Sequence, residues 1–264
     1  MKIGIIGCGV MGGAMARIIS EHHEVALYSR NQEKLEVFCK EIGAKKCSSF
    51  EEFAKGRDAI IIAVKPKDLD ALAEDLDPFI EKETLVLSIL AGRSLSLLEN
   101  RFSNKTIFRL MPNLPLLCGA GMIGVAEDPK ISSAIKDKIN SILKGLGTIV
   151  WLDESLMNAF AALTGSNPAF ISLIIEAMVE AGISMGFKGK EAEEYVLKTI
   201  EGTIALLRHR REEAGPLRWE IASPLGTTIV GLVELEKRGV RYGVTRGIQK
   251  TYERGVEMET SSSD

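Results

Sequence analysis

The feature that most constrains the fold of this chain is a glycine pattern at its N-terminus. An apolar run, Lys2 to Gly7, leads into Gly7-Cys8-Gly9-Val10-Met11-Gly12, and helix-forming residues follow. In a dinucleotide-binding turn, the first glycine allows the tight bend and the second lets backbone N–H groups reach a pyrophosphate. The third lets helix and strand pack closely, so strand, G-x-G-x-x-G and helix together predict a dinucleotide site. The plain alternative is an ordinary strand-to-helix turn.

Composition narrows the class of protein. The 264 residues are 45% hydrophobic, enough for a sizeable core, and the net charge is −3. This balance gives no broad electrostatic basis for binding nucleic acid. Four cysteines without a C-x-x-C pair and three histidines show no metal-ligand spacing, so we expect no metal. We expect a reducing, cytoplasmic setting.

The pattern of apolar and polar residues changes near Leu152. Before it, short apolar runs alternate with helical patterns, which is typical of a parallel α/β sheet covered on both faces. After it, the sequence predicts only helices: 153–165, 168–185, 189–210 and 223–238. We therefore predict an α/β protein with a Rossmann-type dinucleotide-binding domain over 1–152 and an all-helical domain over 153–264.

One uncharged run, Ser155 to Ile175, is long enough to span a bilayer. Gly165-Ser166-Asn167-Pro168 interrupts it, and polar residues are spread through it, so we expect no membrane span. The helix that follows carries an apolar stripe too wide for one small domain to cover, and we expect a partner subunit to bury it. The stripe consists of Phe170, Leu173, Ile174, Ala177, Met178 and Ala181.

The end of the second strand bears on the cofactor. An NAD site usually places a carboxylate there to bind the ribose 2′-hydroxyl, but this strand ends in Ser29-Arg30-Asn31. A hydroxyl, a guanidinium and an amide suit a 2′-phosphate, which predicts NADPH, with NADH possible. Asn31 can at the same time cap the next helix.

Three further loops are candidates for contact with the cofactor. Ligands of open α/β sheets lie at the carboxyl ends of the strands. This places the loop Ala63-Val64-Lys65-Pro66 and the residues Ala91 and Gly92 at the edge of the site. The segment from Arg109 to Pro115, with Pro112 and Asn113, is expected to be a proline-stiffened wall beside the nicotinamide, or a stiff loop without a ligand.

Two stretches of the helical half are unusual as packing alone. They are Leu163-Thr164-Gly165-Ser166-Asn167-Pro168-Ala169 and Ser223-Pro224-Leu225-Gly226-Thr227-Thr228. The second predicts a helix start with Ser223 as N-cap and Pro224 at the first helical position. Free N–H groups there could bind an anion, and the alternative is an ordinary cap.

Together with the segment from Arg109 to Pro115, these stretches resemble pyrroline-5-carboxylate reductase, in order and over nearly the whole chain. The resemblance implies a Rossmann domain, a helical dimerisation domain, and a homodimer that often assembles into a ring of dimers. It also implies hydride transfer from NAD(P)H to the C=N bond of a small cyclic imine carboxylate, giving L-proline. The carboxylate-binding and catalytic residues would be Ser223, Gly226, Thr227 and Thr228.

The family usually has glycine where this chain has Asn167 and Leu225, so a related imine stays open as the substrate. A hydroxyacid dehydrogenase of the same layout would carry a catalytic lysine on the helix over 153–165, which has none. Reductases of a deazaflavin cofactor and a non-catalytic NADP sensor are further alternatives. Reducing a protonated imine requires no strong general acid, so the lack of a His–Asp pair fits imine reduction.

Overall fold

The computed structural model describes residues 1–103, 105–128 and 131–260. An eight-stranded sheet forms the centre of its first part, in the order β3-β2-β1-β4-β5-β6-β7-β8. The strands are β1 (Lys2–Ile6), β2 (Glu24–Tyr28), β3 (Lys45–Lys46), β4 (Ala59–Ile62), β5 (Leu85–Ser88), β6 (Thr106–Pro112), β7 (Gly121–Glu127) and β8 (Gly147–Asp153). The order reverses direction beside β1, which creates the crevice where α/β sheets bind ligands.

Neighbouring side chains of the inner strands serve two separate cores. Ile61 packs into the cluster on one face of the sheet, and Ile60 and Ile62 pack into the cluster on the other. Every residue of β4 is buried. This double burial explains why the strands are near-continuous apolar runs rather than alternating ones, and it confirms the predicted α/β class.

One strand pair departs from the predicted parallel sheet. β7 runs antiparallel to β6, with Leu110 opposite Val125 and Pro112 opposite Ile123. The connection between them is a single 3-10 segment, Leu114–Cys118, that ends at Gly119 in a left-handed conformation. A parallel return needs a crossover of about a dozen residues or more. The connection is too short for that, so the chain turns back.

The helices on the two faces of the sheet begin and end where the sequence provides caps. They are α1 (Val10–Ser20), α2 (Gln32–Ile42), α3 (Phe50–Ala54), α4 (Leu69–Leu76), α5 (Leu95–Arg101) and α6 (Ser133–Ile142). The Asn31 side chain accepts a hydrogen bond from the N–H of Lys34 at 2.9 Å, so it caps α2 as predicted. Gly43, at φ +68°, ends the same helix. The short elements β3, α3 and α5 were not predicted.

Every described element after β8 is helical. These elements are α7 (Met157–Phe160), α8 (Asn167–Ser184), α9 (Gly189–Arg210), α10 (Ala214–Ile221), α11 (Thr227–Lys237) and α12 (Val240–Thr260). The described chain divides into two compact units. One comprises Met1–Ser166 and the end of the chain from Thr251, and the other comprises Asn167–Lys250. Helix α12 contributes residues to both units, which the sequence did not indicate.

The stretch Glu154–Ser184 is long and apolar enough, by length and composition, to cross a membrane, a test that core helices of other proteins also pass. The predicted interruption of the helical run at Gly165-Ser166-Asn167-Pro168 is only a local irregularity. The chain forms a π-helical turn over Ala161–Gly165 and bends at Ser166 before α8 begins. The absence of a membrane span therefore stays a prediction.

Arg109 is the largest fully buried side chain among the described residues. It lies in β6, as the apolar run 106–110 predicts, but the strand continues to Pro112, into the segment expected to be a wall or a stiff loop, because it pairs with β7. Its Nη1 donates to Glu154 at 2.7 Å and to Glu259 at 2.9 Å, and its Nη2 donates to Asn158 at 3.1 Å. Asn158 also donates to Glu259. These four residues, the Arg109 cluster, join the sheet to the last turn of α12.

Replacing Arg109 with Met should destabilise the protein by about 3 kcal/mol or more, because it leaves two carboxylates without their shared counter-ion. Arg101→Met is the matched control, since Arg101 forms an exposed pair with Asp70 and such pairs contribute about 1 kcal/mol or less. Denaturant unfolding of both variants measures the difference. Equal losses would show that the Arg109 cluster does not stabilise the fold.

Candidate functional site

The three glycines of the N-terminal motif each have the surroundings that a dinucleotide-binding turn needs. Gly7 is at φ +97°, and a Cβ there would lie 2.5 Å from the carbonyl oxygen of Ala63. A Cβ on Gly12 would lie 2.0 Å from the carbonyl oxygen of Gly7. A Cβ on Gly9 would meet nothing within 4 Å. The first and third glycines are therefore needed for packing, and the second leaves the backbone open to a ligand.

Helix α1 begins at this open position. Gly9 is its N-cap residue and offers no side-chain hydrogen bond to the first turn. The first N–H groups of a helix have no partner within the helix, and the aligned peptide dipoles place partial positive charge there. This end of α1 can accept an anion such as a pyrophosphate.

A cavity of about 410 Å³ lies beside the glycine turn, at the crevice where the strand order reverses. It is lined by residues that follow β1, β2 and β4, because the carboxyl ends of adjacent parallel strands share one edge of the sheet. Of the predicted cofactor residues, the lining includes Gly7, Cys8, Gly9, Ser29, Arg30, Ala63, Val64 and Lys65.

The other predicted cofactor residues do not line this cavity. Val10, Met11 and Gly12 belong to α1, and Asn31 caps α2. Pro66 begins a 3-10 turn that ends at Asp68. The remaining predicted contacts, Ala91, Gly92, Pro112 and Asn113, follow or end β5 and β6, outside the cavity lining.

Two residues outside the cavity lining have structural partners that sequence reasoning missed. The Asn113 side chain accepts from the N–H of Met122 at 2.8 Å and donates to the carbonyl of Thr164 at 3.0 Å. Gly92 is at φ +67° and buried, with the Cβ of Met258 3.3 Å from where its own Cβ would be. The segment around Asn113 therefore serves to hold β7 and the π-helical turn, and the end of α12 covers Gly92.

Electrostatics inside the cavity are mixed. Arg30, Lys65 and Lys67 supply positive charge to the lining, and Asp68 and Asp75 supply negative charge. The Nη2 of Arg30 lies 3.1 Å from an oxygen of Asp68. The sequence had suggested Arg30 as a phosphate ligand without indicating this partner, because Asp68 lies far along the chain and meets Arg30 only after β4 pairs beside β1.

Cys8 adds no charge to the glycine turn. Burial, helped by the nearby Cys39 thiol, raises the pKa of Cys8 to about 12. The thiol is therefore neutral at physiological pH and presents no thiolate that would repel a pyrophosphate.

The predicted start of the helix after Ser223 is wrong in detail. Helix α11 begins at Thr227 with Gly226 as its N-cap, and neither Ser223 nor Pro224 is part of it. Leu225 adopts φ +60°, a left-handed conformation that a continuous helix cannot contain. The N–H of Gly226 instead donates to the carbonyl of Ser223 at 3.1 Å, closing a tight turn before the helix.

This turn leaves the first N–H groups of α11 without a side-chain cap. Gly226 offers no side-chain cap, and Thr227 and Thr228 occupy the first turn with exposed side chains. The Leu225 side chain is fully exposed beside them. Within the second unit, Ser223, Gly226, Thr227 and Thr228 therefore lie in the turn and the first turn of α11. Their role in binding an anion stays a prediction.

Two family models match the chain. Residues 154–258 match the pyrroline-5-carboxylate reductase dimerisation model, and residues 2–92 match the NADP oxidoreductase, coenzyme F420-dependent model. The chain is 32% identical to a pyrroline-5-carboxylate reductase of Synechocystis, over 98% of both chains. It is 31% identical to the one of Aquifex aeolicus, over 98% of this chain and 97% of the relative.

Solved structures agree over the same length. The structure of Plasmodium falciparum pyrroline carboxylate reductase with NADP bound is 29% identical, covers 98% of both chains and gives a TM-score of 0.89. A 1-pyrroline-5-carboxylate reductase from Streptococcus pyogenes is 27% identical, with a TM-score of 0.88 over 97% of this chain and 98% of its own. The likeness therefore includes both halves of the chain.

Gly12→Ala should weaken NADPH binding and lower the melting temperature, since the new methyl group meets the Gly7 carbonyl and α1 has to move off the sheet. Gly13→Ala is the matched control. Its methyl group would lie 3.8 Å from the nearest atom, on Phe38, and alanine is the better helix former. Melting temperature and NADPH fluorescence titration measure both effects. A Gly12→Ala variant that binds NADPH like the original chain would contradict the packing role of Gly12.

Proposed function

Because the chain belongs to the pyrroline-5-carboxylate reductase family, we propose that it reduces 1-pyrroline-5-carboxylate to L-proline with NADPH. The observation that carries the proposal is the full-length identity of 32% to such a reductase. The reaction adds a hydride to the carbon of the C=N bond and a proton to its nitrogen, and it leaves L-proline and NADP⁺. This is the last step of proline biosynthesis. Four free cysteines fit a cytoplasmic setting for it.

The residues of the first unit fit a nicotinamide dinucleotide. The open backbone at Gly9 and the uncapped N-terminus of α1 suit a pyrophosphate, and Arg30 and Ser29 at the end of β2 suit a 2′-phosphate. NADPH supplies the hydride when bound, and NADH is the less favoured donor. The contacts that the sequence predicted for Pro66, Ala91, Pro112 and Asn113 remain part of the proposal.

The residues of the second unit are assigned to the acceptor. The N–H groups of the first turn of α11 and the hydroxyl of Thr228 would hold the substrate carboxylate. A protonated imine is already electrophilic, so positioning and charge neutralisation are the main tasks of the protein. Ser223 and Gly226 shape the turn through their mutual hydrogen bond, and Thr227 supplies a backbone N–H of the first turn.

A related cyclic imine carboxylate is the second candidate substrate, and Leu225 is the observation that favours it. This leucine holds a left-handed conformation that glycine adopts at no steric cost, and it places an exposed apolar side chain beside the proposed carboxylate site. Such a side chain would change the shape of the acceptor pocket without removing the anion-binding N–H groups.

Thr228→Ala should lower kcat/KM for 1-pyrroline-5-carboxylate by about ten- to a hundredfold. A hydrogen bond to a charged group contributes roughly 1.5–3 kcal/mol, and each 1.4 kcal/mol is about one factor of ten. NADPH oxidation, followed with this substrate and with a six-membered imine acid, measures the loss and identifies the preferred imine.

Thr228→Ser is the control, since it keeps the hydroxyl and should retain most of the activity. NADPH binding should barely change in either variant. If Thr228→Ala folds normally and reduces the imine at the original rate, the carboxylate is held elsewhere, and Ser166 and Asn167 are the next candidates. If neither imine is reduced by the original chain, the proposed reaction is wrong.

We also propose that the protein is a homodimer formed through the helical unit, with a ring of dimers as the larger assembly. Apolar side chains lie exposed along α8 and α11, among them Leu173 at 63%, Val230 at 67% and Val233 at 60%. Exposed apolar surface of this extent is typical of interaction sites. The dimerisation family model spans the same helices.

Leu173→Glu should convert the dimer to a monomer at micromolar concentration, because a buried unpaired carboxylate opposes association. Val37→Glu introduces the same charge at a valine that is 70% exposed on α2, outside the helical unit, and should leave the dimer intact. Sedimentation velocity distinguishes the two states. A monomeric original chain, or a Leu173→Glu variant that sediments as a dimer, would refute this interface.

A further inference from the structure

We propose that Asp68 determines how strongly the chain distinguishes NADPH from NADH, by competing with the 2′-phosphate for the guanidinium of Arg30. The inference rests on the proposed function in one respect only: it takes the cavity beside the glycine turn to be the nucleotide site. It goes further in naming a carboxylate that opposes the preferred cofactor.

The geometry makes Asp68 the fixed member of the pair. Its backbone N–H donates to the carbonyl of Lys65 at 2.9 Å, within the 3-10 turn Pro66–Asp68. Its side chain is 26% exposed, whereas the side chain of Arg30 is 83% exposed. The carboxylate is therefore held by the turn, and the long arginine side chain reaches to it at 3.1 Å.

A phosphate bound to Arg30 would consequently lie next to a carboxylate. Both anions would share one guanidinium, and like charges a few ångströms apart repel each other. The rest of the lining offsets this only in part, because its three cations, Arg30, Lys65 and Lys67, face two carboxylates, Asp68 and Asp75. Arg30 has to leave Asp68, or hold both anions, before it can bind the 2′-phosphate fully.

The same carboxylate does not oppose NADH in this way. A ribose 2′-hydroxyl carries no charge and can donate a hydrogen bond to a carboxylate, which is how NAD sites commonly bind it. Asp68 therefore lowers the affinity for NADPH and leaves that for NADH unchanged or improved. The preference for NADPH over NADH is therefore smaller with Arg30 and Asp68 together than it would be with Arg30 alone.

Asp68→Asn tests the inference by direct binding, without any imine present. Fluorescence titration should show the Kd for NADPH falling by about three- to tenfold and the Kd for NADH unchanged or raised. The gain should shrink at high salt, because exposed charges are screened. Weaker NADPH binding in this variant would mean that Asp68 orients Arg30 for the phosphate, and an equal change for both cofactors would mean that it does not discriminate. Either result overturns the proposal.

Two controls separate this effect from general charge. Asp75→Asn removes the same charge from the same cavity, where Asp75 makes no ion pair in the part of the chain that the structure describes. It should change the ratio of the two Kd values less than Asp68→Asn does. In an Arg30→Gln background, Asp68→Asn should have a smaller effect on that ratio, because only the direct repulsion between carboxylate and phosphate remains, and an undiminished effect there would refute competition for Arg30. Because binding is measured without imine, the result can be interpreted even if the chain does not reduce 1-pyrroline-5-carboxylate.

Discussion

The buried guanidinium of Arg109 is the interaction on which the architecture of the first unit depends. A fully buried charge is tolerated only when paired and hydrogen-bonded, and here the partners come from distant parts of the chain. Glu154 follows the last strand, and Glu259 lies in the last turn of α12. Glu154 also accepts from the N–H of Leu95 at the start of α5. The sheet, the start of the helical run and the last turn of α12 are thus connected by one side chain.

The sequence predicted the elements whose signals are local. Apolar runs identified the main strands, and the bounds of α9 match the predicted range 189–210. The N-cap at Asn31 could be predicted equally well, because an amide directly before a helical pattern is a local signal for a cap. The glycine motif was interpretable for the same reason, since each of its three roles involves residues of the same turn or of the adjacent strand.

Features that depend on partners distant in the chain could not be predicted from the sequence. The strand containing Arg109 was expected to end at Leu110 because two prolines follow, yet pairing with β7 extends it through Pro112. The carboxylates of Asp68 and Glu259 gave no signal, since charged residues on helices are usually solvated. The start of α11 was misplaced because Ser-Pro is a common helix opening, while the left-handed conformation of Leu225 is a property of the folded turn.

Leu225 lies beside the proposed acceptor site and Asp68 lies in the proposed nucleotide site. Each is an unfavourable residue for its position, so its presence needs a physical explanation. A leucine in the left-handed region costs about 1–2 kcal/mol relative to an unstrained residue, and its fully exposed side chain recovers none of this by packing within the second unit. In our proposal, Asp68 likewise opposes the charge of the preferred cofactor, and it gains little, because exposed ion pairs contribute about 1 kcal/mol or less. Strained or opposed residues persist where the site uses them. In our proposal, the acceptor turn and the nucleotide cavity each carry one such residue, and in each the side chain changes which ligand is preferred while the backbone donors remain in place. Under this proposal, selectivity is a property of single side chains added to two backbone-built anion sites.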